Sequence, residues 1–61
     1  MYNHSQTQIL YHVLKGLVGK AELVSEEAIK NELGEKEFNS LRHHGFIEYC
    51  GTLNNCRMYA V

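Results

Sequence analysis

The stretch SEEAIKNELGEKEFNSLRHHGFIE, residues 25–48, decides the fold. Ser25 stands where a helix N-cap is needed. Glu26 and Glu27 follow in the first turn, where the partial positive charge of a helix N-terminus favours anions. Ala28, Ile29 and Leu33 form one apolar side, and Gly34 sits where such a helix stops. The apolar spacing then slips: Phe38 comes five residues after Leu33, and Leu41 three after that. A single helix would carry these residues on diverging faces. Two helices joined by a tight turn at Gly34 keep them on one core. The second of these runs from Glu35 to His44 and is stopped by Gly45.

Upstream, Ser5 and Gln8 have the spacing of a capping box, which predicts a helix over Gln6 to Val18. Ile9, Leu10, Val13, Leu14 and Leu17 give it one broad apolar stripe, and Gly19-Lys20 ends it. Residues 1–4 read as a flexible arm. Glu22-Leu23-Val24 is short and β-prone, a brief strand. Downstream, Phe46–Cys50 and Cys56–Val61 are β-prone runs around the polar loop Gly51–Asn55, the pattern of a hairpin. The order is helix, short strand, helix, turn, helix, hairpin, which makes the class α+β. The expected core is Leu14, Ile29, Phe38, Leu41 and Ile47.

Length and charge bound what such a chain does. Sixty-one residues form one domain. The hydrophobic gain and the cost of ordering the chain are each on the order of 90 kcal/mol, so the fold is marginal and gains from any partner. No deep pocket fits, no catalytic or nucleotide-binding motif is present, and neither enzyme activity nor a cofactor is expected. Six basic against seven acidic residues leave a net charge of −1, with a pI near 6.4. Proteins that bind mainly through phosphates are usually more basic. Nothing resembles a signal peptide, and no apolar run approaches a membrane span of about 20 residues. A cytoplasmic protein with reduced thiols is expected, without membrane contact.

The order of elements resembles the winged helix-turn-helix family. The resemblance rests on Ser25–Gly34 (SEEAIKNELG) and Gly45–Glu48 (GFIE). Ala28 matches the small residue of the family's second helix, Leu33-Gly34 the pair that opens the turn, and Gly45-Phe46-Ile47 the step into the wing. Tyr59 and Val61 match the return strand that closes the core. These are patterns of residue class over nearly the whole chain. One departure is the third helix, which has only ten residues, Glu35–His44, before Gly45. In the family that helix enters the major groove of DNA, so few of its side chains here reach base edges.

The resemblance implies double-stranded DNA as partner and contacts from the third helix through Lys36, Asn39, Ser40 and His43. Asn suits an adenine edge, and Lys suits guanine or phosphate. Arg42 is placed for the backbone. The wing would add Asn54, Asn55 and Arg57. Beside each stands a plainer reading. Glu35 and Glu37 share the first turn with Lys36 and repel phosphate, so this face also reads as a solvated helix surface of mixed charge. Asn residues at a hairpin tip suit the turn itself. A basic stripe through Lys30, Lys36, Arg42 and Arg57 would favour DNA.

A symmetric hairpin places Cys50 opposite Cys56, within reach of a disulfide or a shared metal with His43 and His44. The spacing is not a zinc motif, and no metal is expected; two reduced thiols are the default. Both hairpin faces are largely apolar. One packs on the helices, and the other is open to a second chain, with Tyr2 and Tyr11 adding to it. The expected function is a small transcriptional regulator that binds duplex DNA as a homodimer. The alternative is a winged-helix module that binds a protein partner and inhibits or adapts a larger complex.

Overall fold

The computed structural model describes residues 2–61. Its elements are α1 (His4–Val18), β1 (Leu23–Ser25), α2 (Glu26–Leu33), α3 (Glu35–His43), β2 (Glu48–Leu53) and β3 (Cys56–Ala60). Three helices and a three-stranded antiparallel sheet of order β1-β3-β2 make the fold α+β. The tight turn read from Leu33-Gly34 is a single residue. Gly34 N–H closes α2 on the Lys30 carbonyl at 2.8 Å, and the Gly34 carbonyl accepts from Phe38 N–H at 3.0 Å to begin α3. Its backbone, at φ 114° and ψ 162°, lies in a region essentially restricted to glycine. Ser25 caps α2 as expected, its side chain accepting from Ala28 N–H at 3.1 Å.

The start of α1 differs from expectation. Asn3, not Ser5, is the cap: its side chain accepts from Gln6 N–H at 2.8 Å, and Gln6 Oε1 accepts from Asn3 N–H at 3.0 Å. Both residue pairs have capping-box spacing. The earlier start lets Thr7 Oγ1 reach the Asn3 carbonyl at 2.7 Å and Ser40 Oγ at 2.6 Å, joining α1 to α3. The expected arm over residues 1–4 thus shrinks: His4 is helical, Asn3 is the cap, and Met1 lies outside the described residues.

The hairpin is tighter than the five-residue loop expected. Thr52 pairs with Arg57 and Leu53 with Cys56, leaving Asn54-Asn55 as a two-residue turn. Both asparagines have positive φ, 51° and 64°, as a type I′ turn requires. A bulge falls between Tyr49 and Gly51, so Cys50 has no cross-strand partner and does not face Cys56. Both thiols are free. Alternation along β3 puts Tyr59 and Arg57 on the inner face, with Val24 and Tyr49 beside Tyr59. Cys56, Met58 and Ala60 share the outer face with Leu23 and Leu53.

The core contains Leu14, Ile29, Phe38, Leu41 and Ile47, as expected, and is completed by Tyr59. The Phe38 and Tyr59 rings meet edge to face at 5.0 Å. The broad stripe of α1 is not buried as a unit. Leu14 is buried and Leu10 half-buried, but Ile9, Val13 and Leu17 are 65%, 47% and 53% exposed. The inner side of α1 instead runs through Thr7, Tyr11 and Val18, with the Thr7 hydroxyl bonded to Ser40 of α3. Tyr11 stacks on Phe46 at 5.4 Å, and Tyr2 is engaged on α3. Neither tyrosine joins an open hairpin face.

Candidate nucleic-acid interface

α3 presents Lys36, Asn39, Arg42 and His43 to solvent. Ser40, expected among these contacts, is turned inward and is 3% exposed. Its hydroxyl is taken up by the α1–α3 contact with Thr7. Lys36 and Asn39 line a groove of about 540 Å³ with Tyr2, Gln6 and Ser40. The segment before α1 forms one wall of it. The Tyr2 hydroxyl donates to the Glu37 carboxylate, and the Tyr2 carbonyl lies 3.2 Å from His44 Nε2. That contact holds the Glu37 carboxyl below its usual range, through the phenol's hydrogen bond first and backbone hydrogen bonding second. It pushes the Tyr2 phenol up, through the hydrogen bond to Glu37 and the nearby negative charge. Engaged in this way, Glu37 contributes its charge to the same first turn as Lys36.

A second cleft, of about 370 Å³, opens where α3 meets the hairpin. Arg42, Tyr49, Arg57 and Tyr59 line it. Arg42 lies over the Phe38 ring at 6.0 Å, and Lys30 over the same ring at 5.3 Å. Each is a cation–π contact with the buried Phe38 ring. Glu26 partly offsets them. Its carboxylate lies 3.3 Å from Lys30 Nζ and 4.0 Å from Arg57, and it accepts a long bond of 3.4 Å from the Tyr59 hydroxyl. Arg57 also lines a smaller cleft with Asn55, Cys56, Glu26 and Glu27.

The residues singled out in the sequence therefore divide. Lys36 and Asn39 share one groove, and Arg42 and Arg57 share another. Asn54 and Asn55 form the turn, and Asn55 lies beside acidic side chains. His43 is exposed, and its ring meets His44 edge to face at 5.3 Å. The sequence reading missed Tyr2, Gln6, Glu26 and Tyr49. The signal for Tyr49 was present, since strand alternation places it on the same hairpin face as Arg57.

Among the described residues, no three His, Cys, Asp or Glu side chains are placed to hold a metal ion, and no helix is long and apolar enough to cross a membrane. The chain matches no protein-family model, no curated protein and no solved structure.

Proposed function

We propose that this chain is a winged helix-turn-helix protein that binds duplex DNA as a homodimer, with α3 as the reading element and β2–β3 as the wing. The observation that carries the reading is the meeting of Arg42 and Arg57, from α3 and the wing, around one cleft with Tyr49 and Tyr59. Lys30 is joined to Arg57 through the Glu26 carboxylate they share, which brings a third member of the chain's six basic residues next to this cleft. A chain of net charge −1 has local means to engage phosphates at that place. In this reading Arg42, Arg57 and Lys30 neutralise backbone phosphates, while Lys36 and Asn39 face base edges. The sheet order β1-β3-β2, with the hairpin after α3, supports the same reading. One short helix with few cations supplies little specific affinity, and two copies on one site double the contacts.

The test is fluorescence anisotropy on pooled duplex fragments over a series of salt concentrations. Arg42→Ala and Arg57→Ala should each weaken binding and flatten the salt slope by about one unit. Lys36→Ala and Asn39→Ala should relax sequence preference more than they change the slope. Absence of salt-sensitive binding at low ionic strength would sink the reading. It would favour the alternative, a winged-helix module for a protein partner, for which the exposed Ile9, Val13 and Leu17 speak.

A further inference from the structure

The cleft between α3 and the hairpin holds two guanidiniums that the chain leaves largely unneutralised. Arg42, from the last turn of α3, makes no ion pair among the described residues. Arg57, from β3, reaches only the Glu26 carboxylate, at 4.0 Å. No acidic side chain is among the residues that line the cleft. Like charges around one cleft repel, and an anion between them removes that cost. The arginine fork of N–H donors matches a phosphate in particular.

Tyr49 is a second, independent observation. It lines the same cleft and is 51% exposed. A bulge between Tyr49 and Gly51 brings Thr52 to the sheet face that carries Tyr49, although the two lie three residues apart. Their hydroxyls bond at 2.9 Å. The buried Tyr59 ring also meets Tyr49 edge to face, with centroids 5.7 Å apart. An exposed ring held at its hydroxyl and by a neighbouring ring has less rotamer freedom left to lose when a ligand arrives. A planar surface held beside two cations is a platform on which a nucleobase stacks.

We propose that this cleft takes an unpaired nucleotide of a DNA strand, its phosphate between Arg42 and Arg57 and its base stacked on Tyr49. The inference rests on the cleft being a phosphate site, as in the reading above, and not on α3 reading base edges. It adds a base that a closed duplex does not offer, because duplex bases are already stacked on one another. Where a duplex ends or is interrupted, the first unpaired nucleotide supplies both groups. At about 370 Å³ the cleft lies at the lower end of ligand sites, roughly 300 to 1,000 Å³, which suits one nucleotide. A phosphotyrosine also joins a ring to a phosphate, but its ring gains little unless it is enclosed. This cleft is open, with the Arg57 side chain 63% exposed, and a nucleotide within a strand must keep both ends in solvent.

Fluorescence anisotropy of the full chain on three labelled probes tests this: a blunt duplex, the same duplex with a short single-stranded overhang, and that overhang with its bases removed. The intact overhang should bind about 5- to 150-fold more tightly than the blunt end, the range for one stacked base. The abasic overhang should lose that advantage while keeping every phosphate. Tyr49→Leu should lose it as well, and Tyr49→Phe, which keeps the ring, should retain most of it. Circular dichroism checks that both variants keep the wild-type helix content, and the abasic probe needs no variant at all. Equal affinity for blunt and overhanging ends overturns the proposal. So does an advantage that survives removal of the bases or Tyr49→Leu, which would leave phosphate contacts alone. Tighter binding of a phosphotyrosine peptide than of the overhang would overturn the nucleotide as occupant. Salt-sensitive binding of the blunt duplex with no gain from the overhang would leave the duplex reading standing without this one. Tyr49-dependent binding of the overhang with none of the blunt duplex would do the reverse.

Discussion

Thr7 and Ser40 carry more of the architecture than their size suggests. Both are buried, and the two hydroxyls form a chain: Thr7 donates to the Asn3 carbonyl, which leaves Ser40 to donate to Thr7. Thr7→Val keeps the shape but leaves the Ser40 donor without its partner. The expected loss is about 1 to 3 kcal/mol, the cost of an unsatisfied buried polar group. Replacing both, as Thr7→Val with Ser40→Ala, removes donor and acceptor together. The pair should therefore be destabilised by less than the sum of the single variants in urea unfolding. Strict additivity would mean that the hydroxyls do not interact. The same bond explains why Ser40 could not be placed from sequence. Serine on a short polar helix reads as a solvent-facing residue, and only a second buried hydroxyl 33 positions away reverses that reading.

At the scale of elements, the glycine between α2 and α3 and the glycine inside α1 behave in opposite ways. Gly34 has φ 114°, and a Cβ there would come 2.3 Å from Glu37 Oε1. Gly34→Ala is expected to cost about 1 to 3 kcal/mol in backbone strain, and it also dislodges Glu37 from Tyr2. Gly16→Ala has open space around it and should stabilise the dilute monomer by about 0.5 to 1 kcal/mol. Thermal melts of both variants at one low concentration check the two signs.

The link between the residues before α1 and α3 is sensitive to pH. The lowered Glu37 carboxyl contributes stability that is present above the ordinary carboxylate range and lost as pH falls through its folded value. The raised Tyr2 phenol contributes stability that is present below the ordinary phenol range and lost as pH rises through its folded value. The stability gap between wild type and Tyr2→Phe should be widest near neutral pH and close on both sides. A gap independent of pH would refute the link.

Much of this architecture was legible because local chemistry was unambiguous. Ser25 had acidic residues behind it, and Gly34 stood at a break in apolar phase. The start of α1 was not, because Asn3-x-x-Gln6 and Ser5-x-x-Gln8 have the same spacing and tertiary contacts choose between them. The rotation of α1 was hidden too, since five apolar residues cover too wide an arc to say which edge faces inward. The hairpin turn was misread because Thr52 and Leu53 sit in a polar run yet pair in the sheet, with a bulge absorbing the offset. Arg42 and Arg57 were each identified, but their meeting depends on how the hairpin packs against the helices.

For the molecule as a whole, the distribution of charge matters more than its sum. Seven acidic residues outnumber six basic ones, yet Arg42 and Arg57 meet at the α3–hairpin cleft, and Lys30 and Arg57 share one close carboxylate, Glu26. That carboxylate has two opposed effects. In the first turn of α2 it complements the helix dipole, worth about 0.3 to 1 kcal/mol. Beside Lys30 and Arg57 it lowers the local positive potential that a phosphate would meet. The ion pairs themselves contribute little, since Arg57 is largely exposed and surface pairs are worth about 0 to 1 kcal/mol. Glu26→Gln should therefore trade a small loss of stability for tighter, more salt-sensitive DNA binding, with a slope steeper by about one phosphate. Glu27→Gln supplies the control. It lies in the same helical turn, so it carries a similar dipole cost, but its carboxylate makes no ion pair among the described residues. If DNA approaches through the α3–hairpin cleft, affinity rises clearly more in Glu26→Gln than in Glu27→Gln. Equal affinities in the two variants would remove the cleft from the binding path, whatever becomes of Lys36 and Asn39.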